Sequence, residues 1–160
     1  MPSGTTLIVG FGNVLCGDDG FGVEVLQRLA RTTLPPYIET LEVGIGGMHF
    51  VLRLLDGCAA VVVVDAMRGG QAPGTLYVLT PCVGHLGSHA GEPIDPHLAE
   101  PMRALHLAQA LGCLPGKVTV VGCEPACCDL GMGLTAVVHA AVDRAVETIC
   151  QMVVDDGDGG

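Results

Sequence analysis

Apolar residues recur along this chain with two different spacings, and the changes between them mark out the expected elements. Thr6–Gly10 is a short β-branched and apolar run that reads as a buried strand. From Gly20 to Arg31, the residues Phe21, Val25, Leu26 and Leu29 fall on one side of a helix, which Leu34-Pro35-Pro36 stops. Tyr37–Glu42 predicts a second strand and Val43–Gly47 a glycine-rich loop. Met48–Leu55 predicts a short helix with Met48, Val51, Leu52 and Leu55 facing inward. Ala59–Ala66 is the clearest strand. Its continuous β-branched character means burial on both faces, as in a central parallel strand.

The loop Met67–Gly74 is too short for a crossover helix. The strand Thr75–Thr80 should therefore run antiparallel to its predecessor, near an edge. Pro81–Glu100 is a long irregular stretch holding His85, His89 and His97. Pro101–Leu111 reads as a helix, with Pro101 in the first turn where its missing N–H is harmless. Lys117–Cys123 predicts a fifth strand. Leu134–Val153 predicts a last helix with Leu134, Val138, Ala141, Val142, Ala145 and Ile149 inward. The polar tail, residues 155–160, is expected to be disordered, leaving one domain over residues 1–154.

Strands alternating with helices predict an α/β fold, a three-layer α/β/α sandwich with a mostly parallel sheet. Ligands bind such sheets beyond the carboxyl ends of the strands, where strand order reverses. If the chain winds one way from the first strand and the other way from the third, that crevice lies between Gly10 and Asp65.

Composition narrows the function. The aromatic fraction is 3% and there is no tryptophan, so the core must be aliphatic. Lys+Arg number 7 against 17 Asp+Glu, a net charge of −10. Nucleic acid needs a basic face that seven dispersed cations do not supply, and an anionic membrane surface is disfavoured for the same reason. No apolar run is long enough to span a membrane, and the N-terminus lacks the pattern of a signal peptide. A cytoplasmic protein with reduced thiols is expected.

The candidate chemistry gathers at strand ends. Gly10 and Gly12 turn the chain after the first strand, and Asp18-Asp19 follow. Asp65 closes the four-valine strand. Asp19 and Asp65 would pair as metal ligands or as an acid–base dyad; one of Asp18 and Asp19 would cap the helix beginning at Gly20. His97, in Asp95-Pro96-His97, is a candidate third ligand, with His89 its rival. His106 and His139 lie within helices and read as structural. Cys123, Cys127 and Cys128 lack the paired spacing of a zinc site. Cys16 has no histidine set beside it by sequence. A dinucleotide loop is disfavoured, because Leu15 stands where the third glycine belongs and two aspartates would repel a pyrophosphate.

Four motifs, taken in order, resemble a known family. Gly10–Gly22 reads G-F-G-N-V-L-C-G-D-D-G-F-G, and Val63–Gly74 reads V-V-D-A-M-R-G-G-Q-A-P-G. D-P-H follows at Asp95–His97 and V-V-G-C-E-P at Val120–Pro125. This is the order seen in the hydrogenase maturation endopeptidases, which process the large subunit of nickel–iron hydrogenases. The resemblance implies a five-stranded mixed sheet in an α/β/α sandwich. It also implies a metal bound by Asp19, Asp65 and His97, with His89 as the alternative histidine. The metal would be nickel carried by the hydrogenase precursor, and zinc or cadmium would suit the same donors. The activity implied is removal of the precursor's C-terminal extension, by carboxylate general-base catalysis through Asp19 or Asp65 or by a metal-assisted route. A non-hydrolytic, nickel-sensing binding module is the alternative. In the loop after the second strand family members often carry an aspartate, where this chain has Glu42 before its glycines.

Overall fold

The computed structural model describes residues 4–81 and 99–158. Its strands are β1 (Thr6–Phe11), β2 (Ile38–Gly44), β3 (Ala60–Ala66), β4 (Leu76–Leu79) and β5 (Lys117–Cys123). Its helices are α1 (Phe21–Leu29), α2 (Met48–Leu55), α3 (Ala99–Ala110) and α4 (Ala136–Asp158), and a 3-10 turn, Gly17–Gly20, leads into α1. The sheet order is β2-β1-β3-β5-β4. β1 is parallel to both β2 and β3, and β3 is parallel to β5. β4 runs antiparallel to β5 on the outer edge, so β5 inserts between β4 and its predecessor. This is the expected mixed, mostly parallel sheet.

Strand alternation sends side chains to two helical layers. Ile8, Val62, Val64 and Val121 pack with α1 and α4 on one face. Leu7, Val9, Val61, Val63 and Val120 pack with α2 and α3 on the other. The valine run of β3 thus feeds both cores, and each of its residues is buried. Gly22 explains how closely α1 sits on the sheet. A Cβ there would lie 2.3 Å from the carbonyl oxygens of both Phe11 and Val64.

Two expectations change. On α2 the buried residues are Phe50, Val51 and Leu54, while Met48, Leu52 and Leu55 are exposed. The helix carries two overlapping apolar stripes, and Phe50 selects one by meeting Phe11 edge-to-face, ring centroids 5.7 Å apart. The tail also differs, because α4 runs through to Asp158. Asp156 pairs with Lys117 at the start of β5, Gln151 donates to Asp155 at 2.8 Å, and the Tyr37 hydroxyl lies 3.5 Å from the Val153 carbonyl. Among the described residues, no helix is long and apolar enough to cross a membrane.

Candidate active site

The chain winds outward from β1 to β2 in one direction and to β3 in the other, so strand order reverses between β1 and β3. Their carboxyl ends diverge there and leave a small cleft of about 80 Å³. Phe11, Gly12, Asn13, Asp19, Gly44, Ile45, Asp65 and Glu100 line it. The two predicted carboxylates therefore face one space, although 46 positions separate them in the chain.

Gly12 is where the pieces meet. Its φ is +134°, and a Cβ there would fall 1.9 Å from the Asp19 carbonyl oxygen and 3.6 Å from Asp65 Oδ1. The Asp19 carboxylate accepts from the Asn13 main-chain N–H at 2.9 Å, which folds the loop after β1 over it. Asp65 is 2% exposed, and its Oδ1 accepts from the Ala66 N–H at 2.8 Å.

Asp18 does not cap the helix that follows it. The residue preceding α1 is Gly20, which makes no side-chain cap bond. Asp18 is instead fully buried. It accepts from the N–H groups of Ala126 (2.8 Å), Cys127 (3.0 Å) and Thr135 (2.7 Å), and from the Thr135 hydroxyl. Burial alone would raise its pKa. The donors of Cys127, Thr135 and Ala126 outweigh burial and hold the carboxyl below its ordinary range. The turn that presents Asp19 is thereby tied to the loop after β5 and to the start of α4.

Glu124, from the V-V-G-C-E-P motif, plays a matching part behind Asp65. It is 7% exposed and accepts from the Gly69 N–H at 2.6 Å and from the Tyr77 hydroxyl at 2.7 Å. It thus fastens the loop after β3 to β4. Burial pushes its pKa up, but the Gly69 N–H, the Tyr77 hydroxyl and neighbouring donors more than offset this and lower it. Glu100, in the first turn of α3, adds a third carboxylate to the cleft lining. An acid in the first turn of a helix reads from sequence as a partner of the helix dipole, and nothing local marks it as part of a cleft.

Cys123, which closes β5, and Cys128, on the loop after it, are poor nucleophiles. Burial pushes the Cys123 thiol up to about 12 and the Cys128 thiol up to about 11, so both are protonated at neutral pH. Among the described residues, no group of three or more His, Cys, Asp or Glu side chains is placed to hold a metal. Asp19 and Asp65 supply oxygen donors to the cleft, beside Gly12, where a Cβ would lie 3.6 Å from Asp65 Oδ1. His97 and His89 lie outside the described residues.

The profile of the hydrogenase maturation protease family (HycI) matches residues 23–152. A candidate hydrogenase maturation protease of Methanocaldococcus jannaschii is 35% identical over 150 residues, which span 89% of this chain and 92% of that one. The hydrogenase 2 maturation protease of Escherichia coli is 29% identical over 155 residues, 94% of this chain and 92% of that one. Among solved structures, the hydrogenase maturating endopeptidase HybD from E. coli superposes with a TM-score of 0.82 at 29% identity. That match covers 96% of this chain and 94% of that one.

Proposed function

The chain belongs to the hydrogenase maturation protease family and is an endopeptidase; from that premise we propose that it senses nickel in a nickel–iron hydrogenase large-subunit precursor and removes the precursor's C-terminal extension. The observation that carries this reading is the convergence of Asp19 and Asp65 on one cleft at the reversal of strand order. Two carboxylates alone make a weak reader of a divalent metal. With His97, or His89 in its place, they make a mixed oxygen and nitrogen set that suits the precursor's nickel and also zinc or cadmium.

Asp19 and Asp65 then hold the loaded end of the precursor so that its following peptide bond lies in the cleft. Asp65, buried at the end of β3, takes a proton from the attacking water as the water oxygen bonds to the scissile carbonyl carbon, and returns it to the leaving nitrogen as the C–N bond breaks. When bound, the precursor's nickel would add positive charge that favours this attack. Recognition and cutting share the same two carboxylates, so a precursor without nickel is spared. We place the reaction in the cytoplasm, with the precursor as partner and no role for nucleic acid.

The test is to incubate nickel-loaded and nickel-free precursor with the protein and weigh the products. Loss of one C-terminal peptide from the loaded form alone is expected. An unchanged mass with a stable complex would instead assign the chain to precursor binding without hydrolysis.

A further inference from the structure

Beside the cleft, four large apolar side chains stand in solvent on two loops that brace each other. Val14 and Leu15 follow the cleft-lining Asn13 and are 41% and 52% exposed. Leu130 and Met132, on the loop between β5 and α4, are 88% and 80% exposed. The Gly131 N–H donates to the Leu15 carbonyl at 2.8 Å, and the Gly17 N–H donates to the Gly131 carbonyl at 2.9 Å. Cys16 and Gly131 pair as a parallel bridge, which sets Leu15 alongside Leu130.

The same backbone fixes the site. The Asn13 side chain accepts from the Leu15 N–H at 3.0 Å, and the Asn13 N–H donates to Asp19. An apolar surface is thus held rigidly against the carboxylate wall. On the cleft wall formed by the loop after β2, Ile45 is 71% exposed. Large apolar side chains grouped in solvent mark a contact surface, and ones already braced by main-chain bonds lose little freedom on binding.

We propose that Val14, Leu15, Leu130 and Met132 form the docking surface for an uncharged, apolar segment of the precursor polypeptide beside the bond that is cut. This rests on the proteolytic reading above. An endopeptidase must lay a polypeptide across its cleft; Val14 and Leu15 directly follow Asn13 of the cleft lining, and Leu130 and Met132 flank the Gly131 that bonds to that same loop, so the surface borders the cleft at Asn13. Their lack of charge and the net charge of −10 on the whole chain select against an acidic segment. The unbranched Met132 lets the surface adapt to its guest.

The variant Leu130→Ser/Met132→Ser tests this, because both residues are highly exposed and the backbone bonds run through Gly131. We expect the KM for nickel-loaded precursor to rise roughly tenfold or more with kcat and melting temperature unchanged, the signature of lost uniform binding. Leu130→Ile/Met132→Leu, which keeps the apolar area, should restore the wild-type KM. In a pull-down of nickel-free precursor, which is not cut, capture should be lost with the serine pair and kept without it. A wild-type KM in the serine variant overturns the docking surface while leaving the protease reading intact. If the native chain fails to cut the precursor, the protease reading falls. The pull-down then decides the surface: retention equal with and without the serine pair, or no retention at all, overturns it. A native dimer that the serine pair dissociates with KM unchanged also overturns it, by giving the surface to a second copy of the chain.

Discussion

The Asp18 carboxylate receives both the main-chain N–H and the hydroxyl of Thr135, a residue 117 positions later that directly precedes α4. With the Ala126 and Cys127 amides it closes a buried set of bonds next to Asp19. Asp18→Ala leaves those donors unpaired and should cost about 3 kcal/mol or more, and Thr135→Val about 1–3 kcal/mol. Denaturant titration of the two variants measures both losses.

The same carboxylate gives stability a pH dependence of known sign. Its pKa is lowered in the folded chain, so the folded state binds that proton less readily than the unfolded state. Its contribution is complete above the unfolded value, about pH 4, and fades as pH falls through the lowered folded value. The melting temperatures of the native chain and Asp18→Asn should therefore differ most near neutrality and converge in acid. A constant gap across that range would show that Asp18 is not charged in the fold.

Gly12→Ala should fail in both fold and function. The new Cβ would meet the Asp19 carbonyl at 1.9 Å, and φ of +134° is unfavourable to any L side chain. The expected result is a large drop in melting temperature together with loss of cleavage. Gly46→Ala is the control, since its Cβ would meet nothing within 4 Å and only its positive φ is strained. Its melting temperature should fall far less.

Asp19→Asn and Asp65→Asn should each reduce precursor processing at least about a hundredfold with little change in melting temperature. The amide oxygen that replaces each carboxylate oxygen still accepts from Asn13 N–H or Ala66 N–H. Native turnover in either variant would remove that residue from the site. The pair His97→Ala and His89→Ala assigns the histidine by which of them loses activity.

Tyr77→Phe should slacken the loop behind Asp65. It removes the hydroxyl that donates to Glu124 at 2.7 Å and leaves the ring in place. A loss of about 1 kcal/mol is expected, with faster amide exchange at Gly69, whose N–H is held by the same Glu124 oxygen. Unchanged exchange at Gly69 would show that the loop is held by other contacts.

Asp65 was legible because four valines in a row can only be a doubly buried strand, and a carboxylate closing such a strand reaches the ligand end of a parallel sheet. Asp19 was legible through the glycine turn before it and the motif around it. Asp18 was misread because its partners lie 108 to 117 positions away, while a helix start stands next to it. Glu100 had no local pattern tying it to the cleft, and Glu124 stood out only as part of the V-V-G-C-E-P motif, with nothing to show that it ties the loop after β3 to β4.

By itself, the sequence determined where strands and helices fall, that the sheet is mostly parallel, and which strand ends carry acids. These follow from side-chain periodicity and backbone freedom, which act over a few residues. Only the tertiary structure decided which of two apolar stripes on α2 is buried, how far α4 extends, and which aspartate is a buried tie and which a cleft wall. Those outcomes depend on distant segments meeting. A phenylalanine finds Phe11, a lysine finds Asp156, and a buried carboxylate finds whichever unpaired N–H groups the fold brings to it.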